Sequence, residues 1–327
     1  MAVSMSDVAR HAGVSQRTVS NVVNNYVHVS PATRARVQAS LDALGYRPNT
    51  AARRLRTGRT GTVTLAVPTF RERYFADLAE AIVAAARDRG TTVLVETTGG
   101  RRETELELLR GGGDVLTDGV IMSAVSLGRG DQRGAHPVVL IGDREPGSTI
   151  DHVGIKNREA AQAAVTHLLE TGRRRIVLLG ANHGPKRSYQ LRRQGYQAAL
   201  KKYGLDVDPE LILESEWTTA DAAAAITRIF ESLEPDGIFA MNDSSALGAL
   251  QALRRGGVDV PRDVSVIGFD DIVESGLSTP TLSTIAPLLG EIAGSALDLL
   301  EEQLAEGHVP QHRMAGYELR LRESTAR

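Results

Sequence analysis

The 327-residue chain contains no cysteine and one tryptophan, and only 4% of its residues are aromatic. The absence of cysteine excludes disulfides, thiolate catalysis and cysteine-ligated zinc. Every stretch long enough to span a bilayer is interrupted by charged residues or glycine. The first 30 residues also lack the continuous apolar region of a secretory signal. These features predict a cytoplasmic protein that does not enter the membrane.

The motifs of several enzyme classes are missing as well. The P-loop G-x-x-x-x-G-K-S/T, the nucleophile elbow G-x-S-x-G and the zinc-binding H-E-x-x-H do not occur. Asp270 and Asp271 are a candidate acid/base pair, but neighbouring side chains at a strand end usually diverge. We therefore predict that the chain is not an enzyme and has no catalytic residues, no cofactor and no metal site. An enzyme that acts on a sugar remains the least favoured hypothesis.

Lysine is absent from the first 60 residues, which hold nine arginines and two acidic residues. Their net charge is +7, and because the whole chain carries −2, the remaining residues carry −9. A basic head on an acidic body predicts a head that neutralises phosphates and binds less tightly as salt rises. A basic patch also suits acidic lipids or proteins.

The stretch between Ser4 and Asn24 has the pattern of two short helices joined by a tight turn. Ser4 and Asp7 are spaced as a capping box, and Gly13 suits the left-handed residue at a helix end. Ser15 is placed to cap the second helix. Polar side chains occupy the outer face of that helix and its start: Ser15, Gln16, Arg17, Thr18, Ser20 and Asn21. The layout predicts a helix-turn-helix whose second helix enters the DNA major groove, the alternative being an ordinary helical hairpin.

A third helix and a basic segment follow. Ser30-Pro31 is a typical helix start, with proline at the first helical position. Residues 47–60 are rich in arginine and too short to be a stable helix alone, so we expect a flexible linker that becomes helical on DNA. Leu55 is then placed to act as a wedge between base steps in the minor groove.

From residue 61 onward, buried strands alternate with amphipathic helices. This βα rhythm predicts an α/β fold with parallel sheets, and the number of units predicts two lobes with a cleft between them. We therefore divide the chain into a head (1–46), a hinge (47–60) and a two-lobed core (61–327). Ligands of such sheets bind beyond the carboxyl ends of the strands. Polar and aromatic residues follow those ends: Thr69, Tyr74, Phe75, Asp143, Trp217, Asn242, Asp243, Asp270 and Asp271.

Several motifs in collinear order resemble the lactose-repressor (LacI/GalR) family of bacterial transcription regulators. They cover essentially the whole chain: residues 7–24, R-P-N-T-A-A-R-R-L (47–55), A-M-N-D-S-S-A-L-G-A-L (240–250), V-P-R-D-V-S-V-I-G-F-D-D (260–271), P-T-L-S-T-I (280–285) and R-E-S-T-A (322–326).

The resemblance implies a homodimer in which each head reads half of a near-palindromic operator in double-stranded DNA. It places Gln16, Arg17 and Asn21 at base-reading positions, and of these Arg17 is suited to pair bidentately with guanine. Leu55 becomes the intercalating residue of a hinge helix, with Ala52 and Arg53 along the minor groove. Asn49 and Arg56 are the other predicted DNA contacts of this segment. Asn21 stands where many members have arginine, so the operator preference of other members cannot be transferred.

The resemblance also implies a periplasmic-binding-protein-like core around a small effector. It assigns effector contacts to Tyr74, Phe75, Asp143, Arg192, Trp217, Asn242 and Asp270. Gly142-Asp143 leaves open which residue takes the acidic position, and Lys156-Asn157 replaces the frequent Asp-Asn. The loop Arg71-Glu72-Arg73 lacks the usual Asn-Pro, which leaves the ligand contacts of the first lobe open.

The leading hypothesis is a transcriptional repressor whose effector changes the closure of the two lobes. We favour a sugar as effector over a purine base, because forks of polar groups beside an aromatic ring suit a polyhydroxylated ligand. A solute-binding protein is the second hypothesis. The basic head and the missing secretory signal count against it.

Overall fold

The computed structural model describes residues 3–23, 26, 28–46, 59–111, 117–128, 130–143, 148–181 and 187–326. The chain divides into two compact units, residues 1–60 and 61–327. The predicted DNA contacts of the hinge, Asn49, Ala52, Arg53, Leu55 and Arg56, lie outside the described residues, and their roles stay predictions.

The described residues of the first unit form three helices: α1 (Met5–Ala12), α2 (Gln16–Val23) and α3 (Pro31–Ala43). The predicted capping box is confirmed, because the Ser4 amide donates to Asp7 Oδ2 at 3.0 Å and the Asp7 amide donates to Ser4 Oγ at 3.3 Å. Gly13 follows α1 at φ 62°, a left-handed conformation that costs glycine little. Local sequence therefore sets both ends of the first helix.

A small apolar cluster from all three helices holds this unit together: Val8, Ala9, Ala12, Val19, Val22, Val37 and Leu41. Val23 and Leu44 are partly buried and pack against this cluster. Burying a valine or leucine side chain contributes about 1.5–3 kcal/mol before conformational entropy is subtracted. A core of so few large side chains is consistent with a head of marginal stability.

The second unit has two lobes, as the sequence predicts. In the described residues the first lobe contains a parallel sheet of six strands: β1 (Thr62–Val67), β2 (Thr92–Thr97), β3 (Val120–Met122), β4 (Val138–Ile141), β5 (Asp151–Ile155) and β11 (His312–Ala315). The strand order is β11-β5-β4-β3-β1-β2. Three helices accompany this sheet: α4 (Arg73–Asp88), α5 (Arg102–Arg110) and α11 (Leu289–Glu302).

The second lobe also has a sheet of six described strands: β6 (Ile176–Ala181), β7 (Ile212–Glu214), β8 (Gly237–Ala240), β9 (Ser265–Phe269), β10 (Ser283–Pro287) and β12 (Tyr317–Arg320). The order is β12-β10-β9-β8-β6-β7, with β12 antiparallel to β10. Its helices are α6 (Asn157–Glu170), α7 (Arg187–Lys202), α8 (Thr219–Ile229), α9 (Asp243–Arg255) and α10 (Val273–Leu277), with 3₁₀ turns at Pro209–Leu211 and Glu323–Thr325. No helix among the described residues is long and apolar enough to cross a membrane.

Within the described residues the chain passes between the lobes three times, after β5, after β10 and between β11 and β12. Two of these crossings are joined, because the Leu288 amide donates to the Gly316 carbonyl at 3.1 Å. The alternation of strands and helices that the sequence predicts from residue 61 onward is confirmed. It does not predict the return of the C-terminal strands to both sheets.

The α6 and α7 helices pack closely in the second lobe. A Cβ atom added at Gly195 of α7 would lie 2.3 Å from the Arg158 carbonyl oxygen and 2.8 Å from Ala161 Cβ on α6. The absence of a side chain at Gly195 therefore sets the separation of the two helices.

Candidate functional site

The outer side of α2 carries the predicted base-reading residues. Gln16 and Arg17 are exposed, and Asn21 is half-buried. Ser15 Oγ accepts a hydrogen bond from the Thr18 amide at 3.0 Å, so Ser15 caps the helix, as the sequence predicts. Long side chains exposed at the start of the second helix have the geometry required to reach base edges. Ser20, also predicted to contact DNA, is half-buried on the same helix.

A cavity of about 370 Å³ lies between the two lobes of the second unit. Six of the seven predicted effector residues line it: Tyr74, Phe75, Asp143, Arg192, Trp217 and Asp270. They come from both lobes, as expected for a ligand enclosed between them.

Asn242 is the predicted effector residue that does not line this cavity. Its Oδ1 accepts from the Ser245 amide at 3.0 Å and caps α9, while its Nδ2 donates to the Trp217 carbonyl at 3.1 Å. The side chain is buried. Asn242 therefore holds the loop that carries the tryptophan.

Arg192 is the central cation of the cavity. It is buried, its Nε donates to Asn157 Oδ1 at 2.8 Å, and one of its Nη atoms donates to the Met241 carbonyl. Its guanidinium carbon lies 3.5 Å from the centre of the Phe269 ring and 5.4 Å from that of the Trp217 ring. These hydrogen bonds and aromatic rings therefore hold the Arg192 guanidinium in place and stabilise its positive charge, which water solvates poorly there.

Asp270 faces Arg192 across a gap of 3.8 Å between Oδ1 and Nη2. Its backbone φ is 115°, which is unusual for a residue other than glycine and turns the chain sharply after β9. Burial raises the pKa of Asp270 well above its usual range, and the positive charge of Arg192 opposes that shift. Burial, together with the Asp270 charge, also raises the pKa of Tyr74. Asp270 is thus an acceptor held in a poorly solvated position.

The neighbouring Asp271 has different partners. Its Oδ1 accepts from Arg322 Nη2 at 2.6 Å, and its other oxygen pairs with Arg320. Asp271 does not line the cavity. The two carboxylates diverge, so they do not form an acid/base pair. Among the described residues, no group of three or more His, Cys, Asp or Glu side chains is placed to hold a metal ion.

The sequence does not single out several residues of the cavity wall. Asn157 lines the cavity, although in the sequence it is notable only as the neighbour of Lys156, the residue that departs from the family pattern. Glu105, fully buried on α5, accepts from the amides of Val125 and Ser126 at 3.0 and 2.9 Å and so fixes part of the wall. The sequence does not separate Glu105 from Glu103 and Glu107 on the same helix.

Asp243, the first residue of α9, is completely buried behind the turn that carries Asp270. It accepts from Ser275 Oγ at 2.7 Å, Thr284 Oγ1 at 2.6 Å and the Ile272 amide at 3.1 Å. These bonds tie α9, α10 and β10 to the turn. Asp243 follows a strand in the sequence, yet its role in the fold is to support the cavity from behind.

The stability of the protein is expected to depend on the protonation of Asp243. Burial raises its pKa from 3.8 to about 6. Between these values the folded chain binds a proton that the unfolded chain has lost, so the contribution of Asp243 to the free energy of unfolding falls as pH rises from about 4 to 6. A shift of this size corresponds to about 3 kcal/mol. Urea unfolding at several pH values measures the effect.

Asp243→Asn is the matched control for that experiment, because the amide keeps the size of the side chain and cannot ionise. The wild type should lose stability relative to this variant as pH rises from 4 to 7. A difference between the two proteins that is the same at every pH would contradict the assignment.

Comparison with known proteins identifies the family. Residues 4–49 match the family of bacterial regulatory proteins of the lacI type, and residues 165–325 match a periplasmic binding protein-like domain. The transcriptional repressor CytR of Escherichia coli K12 is 32% identical over 335 aligned positions, covering 99% of this chain and 96% of that protein.

Two solved structures extend this result over the whole chain. The Lac repressor dimer bound to operator and the anti-inducer ONPF superposes with a TM-score of 0.80 at 25% identity and covers all of both chains. A complex of the regulator CelR with cellobiose has a TM-score of 0.71 at 30% identity, covering 98% of this chain and 99% of that one. With its helix-turn-helix head and two-lobed core, this chain belongs to the lacI family of bacterial regulatory proteins and is a DNA-binding transcriptional repressor with an effector-binding domain.

Proposed function

We propose that this repressor binds a near-palindromic operator as a homodimer and that a neutral sugar in the interlobe cavity controls the binding. The observation that carries the proposal is the ring of hydrogen-bonding groups that both lobes present beside Trp217. The carboxylates of Asp143 and Asp270 accept hydroxyl hydrogens, whereas Arg192 donates to hydroxyl oxygens. The Trp217 ring adds an apolar face of the kind that stacks against a pyranose.

The mixed charge of the cavity favours a neutral ligand. Glu72, Asp131, Asp143 and Asp270 line it, against the cations of two arginines. Because acidic and basic groups both line the cavity, a phosphate would meet carboxylates as well as guanidinium groups. The CelR complex shows that a protein of this fold at 30% identity holds a disaccharide, cellobiose.

A purine base is the second candidate ligand. The Tyr74 and Phe75 rings pack edge to face with centroids 5.3 Å apart and both line the cavity. Such a pair presents an aromatic wall to a flat base.

A thermal-shift screen with neutral sugars, including cellobiose, and with nucleobases distinguishes the sugar from the purine as ligand. A sugar at 100 times its Kd should stabilise the protein by about 2.7 kcal/mol. Fluorescence of the single tryptophan, which lines the cavity, gives an independent readout. Stabilisation by nucleobases and by none of the sugars would contradict the sugar assignment. Each hit is then tested for its effect on operator binding.

Exposed apolar side chains support the homodimer. Leu94 and Val95 on β2 are 44% and 39% exposed, and Val273 and Leu277 on α10 are 56% and 77% exposed. Large apolar side chains exposed in pairs on two elements are typical of protein contact surfaces. An isologous contact between two copies would place two heads on the two halves of a near-palindromic site. A repressor of this kind acts on DNA in the cytoplasm.

Arg17→Ala is expected to relax the preference for one operator base at a cost of about 1–3 kcal/mol, because Arg17 is exposed at the start of α2 and suited to a guanine edge. Arg36→Ala is the control, since Arg36 is exposed on α3 outside the recognition helix. Selection of binding sites from a random library measures both variants. An unchanged base preference in Arg17→Ala would contradict the role.

A further inference from the structure

Asn157 joins the two lobes by hydrogen bonds. It is the first residue of α6, directly after the chain crosses from β5 into the second lobe, and it is buried. Its Nδ2 donates to Asp143 Oδ2 at 2.7 Å, and Asp143 follows β4 in the first lobe. Its Oδ1 accepts from Arg192 Nε at 2.8 Å, and Arg192 lies on α7 in the second lobe. One amide therefore bridges a carboxylate and a guanidinium from opposite sides of the cavity.

The chemistry of the two partners requires an amide at this position. The ionised carboxylate of Asp143 only accepts hydrogen bonds, and the guanidinium of Arg192 only donates them. Aspartate at position 157 would still accept from Arg192, but it would repel Asp143. The bond to Asp143 is charge-assisted and partly buried, which makes it one of the stronger kinds of hydrogen bond.

We propose that Asn157 is an interlobe latch that holds the two lobes together when the cavity is empty and that shares its two partners, Asp143 and Arg192, with the effector. The proposal rests on the proposed function in one respect, the assignment of Asp143 and Arg192 as effector-binding groups. An effector hydroxyl that donates to Asp143 would share that carboxylate with the Asn157 amide, because its two oxygens can accept more than one hydrogen bond. An effector that engages groups of both lobes would shift the same equilibrium between closed and open lobes.

Single-molecule energy transfer in solution measures that closure directly. Because the chain has no cysteine, Arg101→Cys and Ala220→Cys create two labelling sites, one in each lobe, at positions that are exposed. The labelled chain is mixed with excess unlabelled chain so that a dimer carries one dye pair. Urea below the unfolding transition makes the open population observable in every variant. The experiment requires neither operator nor effector, so its outcome is independent of the proposed function.

Asn157→Asp should lower the ratio of closed to open molecules at least tenfold, the size of effect expected from a hydrogen bond to a charged group. The double variant Asp143→Asn with Asn157→Asp reverses donor and acceptor and should restore the wild-type ratio. Asp143→Ser removes the carboxylate that accepts the same bond. Because Asp143 is only half-buried, this variant provides the test if Asn157→Asp does not fold. A wild-type ratio in Asn157→Asp, or a folded double variant that stays open, would overturn the proposal.

Discussion

Replacing Arg192 by methionine is expected to abolish the response to effector and to lower the free energy of unfolding by roughly 3–5 kcal/mol. Methionine fills a similar volume but carries no charge and donates no hydrogen bond. The buried Asp270 carboxylate would lose its compensating cation at 3.8 Å, and Asn157 Oδ1 and the Met241 carbonyl would lose donors. Uncompensated polar groups in a poorly solvated cavity are costly.

Arg193→Met is the matched control. Arg193 is the next residue on α7, does not line the cavity, and its Nη1 donates to Tyr189 OH at 3.3 Å. Chemical denaturation and titration with a sugar identified in the screen compare the two variants. An Arg192 variant that keeps the effector affinity of the Arg193 variant would contradict the assignment of Arg192 to the ligand.

Gly195→Ala is expected to destabilise the second lobe by about 3 kcal/mol, because overpacking forces backbones apart. The added methyl group would lie 2.3 Å from the Arg158 carbonyl and 2.8 Å from Ala161 Cβ and the Gln162 amide nitrogen. Those atoms are backbone or short side chains on α6 that cannot rotate away. The two helices must separate, which also moves Arg192, one turn earlier on the same helix.

Gly294→Ala on α11 tests whether the effect comes from the contact or from the loss of glycine. A Cβ atom at Gly294 would have nothing within 4 Å. Alanine in an open helical position is expected to stabilise by up to about 1 kcal/mol. The two substitutions are chemically identical and should shift the unfolding midpoint in opposite directions. Equal shifts would show that the α6–α7 contact does not determine stability.

The sequence predicts the head more completely than the core because the signals there are local. The Ser4–Asp7 capping box, the left-handed Gly13 and the Ser15 cap each involve residues at most three positions apart or a single backbone angle. Such features depend on neighbours along the chain. The same holds for the alternating strands and helices, whose apolar periodicity is visible in windows of a few residues.

Asn242 and Asn157 show where prediction of the site fails. Both are asparagines at the start of a helix after a strand, and sequence alone does not separate a cap from a cavity residue. In the fold, the Asn242 side chain is used by the Ser245 amide and the Trp217 carbonyl, whereas Asn157 lines the cavity. Contacts with the first lobe decide which of the two asparagines faces the cavity.

By itself, the sequence determined the class of the protein: a basic helix-turn-helix head, an arginine-rich segment and two α/β lobes with polar residues at the strand ends. Only the tertiary structure decided which of those residues share one cavity. It paired Arg192 with Asp270, directed Asp271 to Arg320 and Arg322, and set Asn157 between the lobes. The physical reason is that caps and periodicity act over a few residues, whereas these contacts join positions 14 to 78 residues apart along the chain through three crossings between the sheets.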